Sequence, residues 1–122
     1  MNLIEQFKLR LEQLDSKLNK IQLAFKYNSE LVLTGLKTIE LNDPARNVFA
    51  KYTFVLEETV SRIRELTNEL GVFYKHKEII LTNDERVKKA LYLLTKFEDK
   101  ENDVLTTLQA MAIFLENLLN KS

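Results

Sequence analysis

The chain has 122 residues, of which 45% are apolar and 30% are charged, and it contains no cysteine. This length suits one domain with one core, and the composition is too apolar for a disordered chain and too charged for a membrane protein. Eighteen basic and eighteen acidic side chains cancel, so no net charge attracts nucleic acid or an anionic membrane. Without thiols there are no disulfides, and no apolar run reaches the length of a membrane span, so we expect a cytoplasmic protein.

The first predicted helix covers about residues 2–41. Its apolar residues recur at alternating steps of three and four, which is typical of helices packed side by side and not of a strand. This seam contains Ile4, Phe7, Leu11, Leu14, Leu18, Ile21, Phe25, Val32 and Ile39. Asn28 and Gly35 are the polar or small residues that fall on the same seam.

The second predicted helix covers about residues 44–81 and begins at the strongest stop signal in the chain. Asp43 can accept a hydrogen bond from the first turn, where the missing N–H of Pro44 costs nothing. The seam of this helix contains Ala45, Phe49, Tyr52, Leu56, Ile63, Leu66, Leu70, Phe73 and Ile80. Thr59 and Lys77 are polar residues on it.

The third predicted helix covers about residues 83–120. The residues from Thr82 to Glu85 have the pattern of a capping box, in which the Thr82 hydroxyl accepts from the backbone of Glu85 and the Glu85 carboxylate reaches back. The seam that follows contains Val87, Ala90, Leu94, Phe97, Val104, Leu108, Met111, Leu115 and Leu118. Glu101 is the one charged residue on this seam.

Together the three segments predict an all-α fold, with residues 1–122 forming a single domain. We expect an up-down-up bundle of three long amphipathic helices with coiled-coil-like heptad seams, because short turns make neighbouring helices antiparallel. The alternative is a four- or five-helix bundle with breaks near residues 28–29, 71 or 98–103, where Gly71 would act as a C-terminal cap. We favour long helices because the heptad register continues through every polar seam position without a slip.

Residues able to support catalysis or bind a metal are sparse. His76 has no second histidine near it in sequence, and Gly35 and Gly71 form no phosphate-binding loop. Acidic pairs on the predicted helices are Glu12 with Asp15, Glu57 with Glu58, Glu65 with Glu69, and Glu98 with Glu101. We therefore predict no catalytic residue, no metal site and no cofactor.

The alternative enzymatic interpretation is an all-helical, metal-dependent nucleotide pyrophosphohydrolase-like protein that uses carboxylates carried on helices. Those enzymes carry Glu-Glu-x-x-Glu on one helix and Glu-x-x-Asp on the next. Here Glu57 and Glu58 match the start of the first motif, but Ser61 stands at the position of its third glutamate. The Glu-x-x-Asp spacing occurs only earlier in the chain, from Glu12 to Asp15. Glu101, on the predicted core seam, is the residue worth mutating for this hypothesis.

A second alternative is an accessory subunit that contacts nucleic acid at the end of the bundle near residues 75–89. The basic residues there are Lys75, Lys77, Arg86, Lys88 and Lys89. Acidic residues lie among them, and affinity for phosphates scales with the number of phosphates that are neutralised, so we do not expect nucleic acid to be the main partner. This end is interpreted as solvated surface.

The opposite end of the predicted bundle is unusually apolar. Leu33, Phe54 and Ile113 take outward-facing positions at nearly the same height on three helices, and Phe114 and Leu119 lie close by. A three-helix core cannot cover this much apolar surface, although a broader core in a bundle with more helices could. We therefore predict a non-enzymatic protein–protein interaction module, which binds or regulates a protein partner, or self-associates as a homo-oligomer or assembly subunit.

Overall fold

The computed structural model describes residues 1–121, which form helices and no strand. The helices are α1 (Leu3–Thr38), α2 (Pro44–Lys75), α3 (Lys77–Ile80) and α4 (Asp84–Asn120). The predicted all-α bundle is confirmed, with one difference in the number of helices. The segment expected as one helix over 44–81 is interrupted at His76, where φ is −100° and ψ is 8°, so a four-residue helix follows α2. No helix in residues 1–121 is long and apolar enough to cross a lipid bilayer.

Cross-helix contacts give the direction of the long helices. The Lys17 ammonium donates to Asn102 at 2.8 Å, and farther along both helices the Tyr27 hydroxyl donates to Glu116 at 2.8 Å. Because both positions advance together, α1 and α4 run in the same direction. The Tyr74 hydroxyl, near the end of α2, instead contacts a backbone carbonyl in the first half of α1. Helix α2 is therefore antiparallel to both, as an up-down-up bundle requires.

The predicted seams form the core, including nearly all of their polar positions. Asn28, Gly35, Thr59 and Glu101 are all buried, whereas Lys77 is half-buried. The three places where the alternative bundle would break, 28–29, 71 and 98–103, lie inside α1, α2 and α4. The breaks proposed there are wrong, because the helices continue through all three places; the polar side chains of Asn28 and Glu101 are accommodated within the helix instead of ending it.

A polar layer separates the core into two clusters. Asn28 donates from Nδ2 to the backbone oxygens of Ala24 and Leu108, both at 2.9 Å, and the Thr59 hydroxyl donates to the backbone oxygen of Val55 at 2.7 Å. The larger cluster contains Phe7, Leu11, Leu14, Leu18, Ile21, Leu66, Leu70, Phe73, Val87, Ala90, Leu94, Phe97, Val104 and Leu108. The smaller cluster contains Val32, Ile39, Phe49, Leu56, Met111 and Leu115.

Helix α2 begins as the sequence predicted. The Asp43 carboxylate accepts from the Ala45 N–H at 2.9 Å, and Pro44 is the first helical residue. This arrangement satisfies one of the free N–H groups of the first turn while the ring of Pro44 removes another.

The start of α4 differs from the predicted capping box. Asn83, not Thr82, caps the helix, because its Oδ1 accepts from the Glu85 N–H at 2.8 Å. The Thr82 hydroxyl is directed backwards and donates to the Ile79 oxygen at 2.6 Å. A shift of one residue in the turn is enough to exchange the roles of the two side chains.

The two glycines have different structural roles. A Cβ on Gly35 would collide with the Phe49 ring, so the absence of a side chain lets α2 approach α1 at this height. Gly71 has open space around it and lies within α2, which continues to Lys75. The alternative role of Gly71 as a helix cap is therefore wrong.

Candidate interaction surface

The five residues predicted to bind a partner do not share one surface. Leu33, Phe54 and Ile113 are exposed, at 52%, 70% and 63% of their surface, and Phe114 is also exposed. Leu119 is partly buried and packs against the smaller core cluster, so it supports that cluster and offers little free area.

Phe114 lies where α2 meets α4, and Phe54 and Ile113 are exposed at nearly the same height of the bundle. The rings of Tyr52 and Phe114 are 5.8 Å apart, which brings the two helices into contact at this height. Ile113 directly precedes Phe114 on α4, whereas Phe54 is two residues beyond Tyr52, about 200° around α2, and therefore faces away from this contact. Leu33 lies on α1, on the other side of the core. We call Phe54, Ile113 and Phe114 the upper patch.

A groove lies between α2 and α4, farther along the bundle from the Tyr52–Phe114 contact. Its middle is polar, because an ion pair of 3.1 Å between Lys100 Nζ and Glu69 Oε2 crosses it. The lining residues here are Arg62, Glu65, Leu66, Glu69, Lys100 and Val104. The floor is thus apolar and the rims carry two charges of each sign.

Comparison of the chain with protein-family models, curated proteins and solved structures finds no match.

The groove becomes apolar again at its far end, which the sequence interpretation missed. Its lining residues are Glu69, Val72, Phe73, His76, Ile80 and Leu93. Tyr92 adjoins Leu93, and the Lys96 ammonium lies 5.3 Å from the centre of the Tyr92 ring. Val72, Tyr92 and Leu93 are all exposed, and we call them the lower patch. In the sequence these three residues are apolar positions off the seam. They lie at the end of the bundle for which the basic residues predict a solvated surface.

Glu101 is the most unusual polar group in the core. Its side chain is 0% exposed and neither carboxylate oxygen has a hydrogen-bond partner. Burial raises the pKa of Glu101 from 4.5 to about 8; Lys17 acts in the opposite direction, and Glu98 and Asp15 add to the increase. At neutral pH the carboxyl is therefore mainly protonated and uncharged, which is how a protein tolerates an isolated buried acid.

The remaining acidic pairs are not gathered into a site. Glu98 lies 3.7 Å from the Arg10 guanidinium and 3.8 Å from the Lys17 ammonium, and Glu69 pairs with Lys100. Within residues 1–121 no three acidic, histidine or cysteine side chains are close enough to hold a metal ion together. Glu98 and Glu69 therefore face basic side chains and do not form a carboxylate cluster that could hold a metal ion.

Proposed function

We propose that this chain is a non-enzymatic protein–protein interaction module, a small cytoplasmic helical bundle that binds its protein partner through the upper patch. The observation that supports the proposal is the exposure of Phe54, Ile113 and Phe114 at nearly the same height on α2 and α4. Large apolar side chains exposed in one region of a soluble protein typically mark an interaction site.

The chemistry of the patch suits an interface anchor. Burying one phenylalanine side chain contributes about 1.5–3 kcal/mol, and aromatic residues near the centre of an interface often dominate its energy. Phe54 has the largest exposed surface to bury on binding, because 70% of its surface is free. It lies on α2, which contacts the core through Leu56. The bundle would regulate its partner or join it in an assembly by covering a complementary apolar surface.

The proposal is tested by capturing proteins from an extract of the source cells with three tagged forms of the chain. We expect Phe54→Glu to lose specific proteins that the wild type retains, as measured by quantitative mass spectrometry. Leu23→Glu is the matched control, because Leu23 is 68% exposed and lies on α1, away from the α2–α4 groove. Circular dichroism should show equal helicity for all three forms. Identical sets of captured proteins for the wild type and Phe54→Glu would refute the proposal.

A further inference from the structure

We propose that the far end of the α2–α4 groove is a second docking site, which binds a short amphipathic helix of a protein partner with acidic residues along one edge of its apolar stripe. This end, which we call the lower groove, is lined by Glu69, Val72, Phe73, His76, Ile80 and Leu93. The site is separate from the upper patch and does not depend on the function proposed for that patch. The packing of the long helices, the shape of the groove and the charges on its walls support it.

The pairing of α2 with α4 is the open side of the bundle. Helix α1 packs along both α2 and α4, whereas α2 and α4 pack against each other much less closely. Leu66, Phe73 and Val104, which are largely buried, form the floor of the groove that is left between them. A furrow between two helices fits a further helix, which would complete a four-helix arrangement.

The lower groove is about two helical turns long. At one end the ion pair between Lys100 and Glu69 crosses the groove. At the other end it is lined by His76 and by Ile80 of α3. Glu69 and His76 are about 10 Å apart along α2, and side chains at positions i and i+4 of a docked helix, about 6 Å apart, fit between these ends.

The lower groove suits side chains presented by a helix. It is open to solvent and holds about 340 Å³. Sites that enclose a whole small molecule have volumes of about 300–1,000 Å³, so this groove lies near their lower limit. A short apolar stripe on a helix can fill such a shallow groove without being enclosed by it.

The two walls of the lower groove differ in charge. The stripe of α4 that borders it consists of Lys89, Leu93, Lys96 and Lys100, at steps of four, three and four residues. On the α2 wall, Val72 and His76 follow Glu69, whose carboxylate pairs with Lys100. The ion pairs within residues 1–121 leave Lys89 and Lys96 without a carboxylate partner. The α4 wall is therefore basic, whereas the α2 wall has no charge left to be paired.

The charges of the walls select the chemistry of the docked helix. Val72 and Leu93 are 54% and 50% exposed, so a helix in the lower groove buries apolar surface on both walls. Carboxylates along the edge of that helix facing α4 would lie near Lys89 and Lys96. Exposed ion pairs add little affinity, so the apolar contacts hold the helix while the charges select it and orient it. A nucleic acid could use the same lysines, but its phosphates gain nothing from the apolar floor.

The binding test uses designed peptides of about 18 residues, rich in alanine so that they are helical alone, with leucine at positions i and i+4. One peptide carries glutamates along one edge of the leucine stripe, a second carries lysines there, and a third has serines in place of the leucines. Each is titrated into the isotope-labelled full chain and followed by NMR. We expect the glutamate peptide to bind with a Kd between about 1 μM and 1 mM, as suits a small interface, and to shift the signals of Val72, Ile80 and Leu93. The other two peptides should bind at least about tenfold more weakly.

Substitutions in the chain test the apolar floor and the basic wall separately. Leu93→Ser should weaken binding of the glutamate peptide about tenfold, because half of the surface of this side chain is free to be buried. Lys89→Glu combined with Lys96→Glu should reverse the preference, so that the lysine peptide binds more tightly than the glutamate peptide. Leu23→Ser and Lys26→Glu, at exposed positions of α1, are the matched controls and should leave both affinities unchanged. Circular dichroism should show equal helicity for all variants.

Several outcomes would overturn the proposal. They are no signal shift at about 1 mM glutamate peptide, shifts confined to α1, and equal affinities for the glutamate and lysine peptides. A single-stranded oligonucleotide that binds the same residues more tightly than the glutamate peptide would assign the groove to nucleic acid instead. A wild type heavier than 14.3 kDa in light scattering that becomes monomeric as Leu93→Ser would assign it to a second copy.

The upper patch and the lower groove are tested independently. Phe54→Glu should leave the affinity for the glutamate peptide unchanged, and Leu93→Ser should leave the proteins captured through the upper patch unchanged. Either proposal can therefore fail while the other stands. Loss of peptide binding in Phe54→Glu with unchanged helicity would contradict a separate site in the lower groove.

Discussion

Glu101 shows how one residue can lower the stability of a well-packed core. Its carboxyl has no hydrogen-bond partner, and its folded-state pKa of about 8 lies well above the ordinary value of 4.5. The folded state therefore holds a proton that the unfolded chain releases at lower pH. The contribution of Glu101 to stability is then most favourable below about pH 4.5 and is lost as pH rises to about 8, above which Glu101 causes no further loss.

We expect Glu101→Gln to remove this pH dependence while keeping a polar side chain of similar size. The difference in unfolding free energy between wild type and variant should change by on the order of 4 kcal/mol across that pH range. Urea denaturation at a series of pH values measures it. Glu12→Gln, a change at an exposed acid, is the control and should leave the profile unchanged. A parallel profile for wild type and Glu101→Gln would show that the carboxyl is solvated.

The heptad pattern predicted the position of Glu101 but not its environment. A glutamate on a seam can be buried, paired with a basic side chain or turned to solvent, and the sequence does not distinguish these outcomes. Lys17, the nearest candidate partner, instead donates to Asn102 and lies near Glu98. That competition depends on the rotation of α1 against α4, which is a property of packing and not of local sequence.

At the scale of the helix, Gly35 and Gly71 form a natural pair for a test of close packing. Gly35→Ala should destabilise the protein by about 1–3 kcal/mol, because the new methyl group would overlap the Phe49 ring and push α1 from α2. Gly71→Ala should stabilise it by about 0.5–1 kcal/mol, since alanine favours the helix and meets nothing there. Chemical denaturation of both variants gives the comparison. Equal effects would mean that helix propensity alone determines both.

The start of α4 provides a second test at this scale. Asn83→Ala removes the acceptor for the Glu85 N–H and should lower the free energy of unfolding by about 1 kcal/mol. Thr82→Ala loses two exposed hydrogen bonds, one donated to Ile79 and one accepted from Arg86, and should have a smaller effect. Thermal unfolding followed by circular dichroism measures both changes. A larger loss of stability for Thr82→Ala than for Asn83→Ala would show that Thr82 caps the helix, as the sequence predicted.

The long helices were predictable because their signals are redundant. Seam residues such as Phe7, Leu66 and Leu108 repeat with one period over each segment, so one polar interruption does not change the interpretation. The break at His76 carries no such signal, since neither glycine nor proline lies at that position. The apolar seam continues past this position from Phe73 to Ile80, so the sequence pattern gives no reason to end the helix there.

At the scale of the whole molecule, the missed lower patch shows the limit of judging a surface by composition. Basic and acidic residues are interspersed from residue 75 to 89, and this composition predicts a solvated end. Val72 and Leu93 are separated by 21 positions in sequence but line one groove, because α2 and α4 are antiparallel. Only the register of the helices brings the two side chains together, so the α2–α4 face could not be seen as one surface before the fold was known.

The division of the core by Asn28 and Thr59 makes the two ends of the bundle unequal in stability. The larger cluster contains fourteen buried apolar residues and the smaller one contains six. Opening the smaller cluster therefore exposes less apolar surface and costs less free energy. We expect amides around Val32 and Met111 to exchange with solvent at a lower free energy than those around Leu14. Native-state hydrogen exchange on the wild-type chain measures this. Uniform exchange along α1 would mean that the polar layer does not divide the core, and that the bundle opens as one cooperative unit.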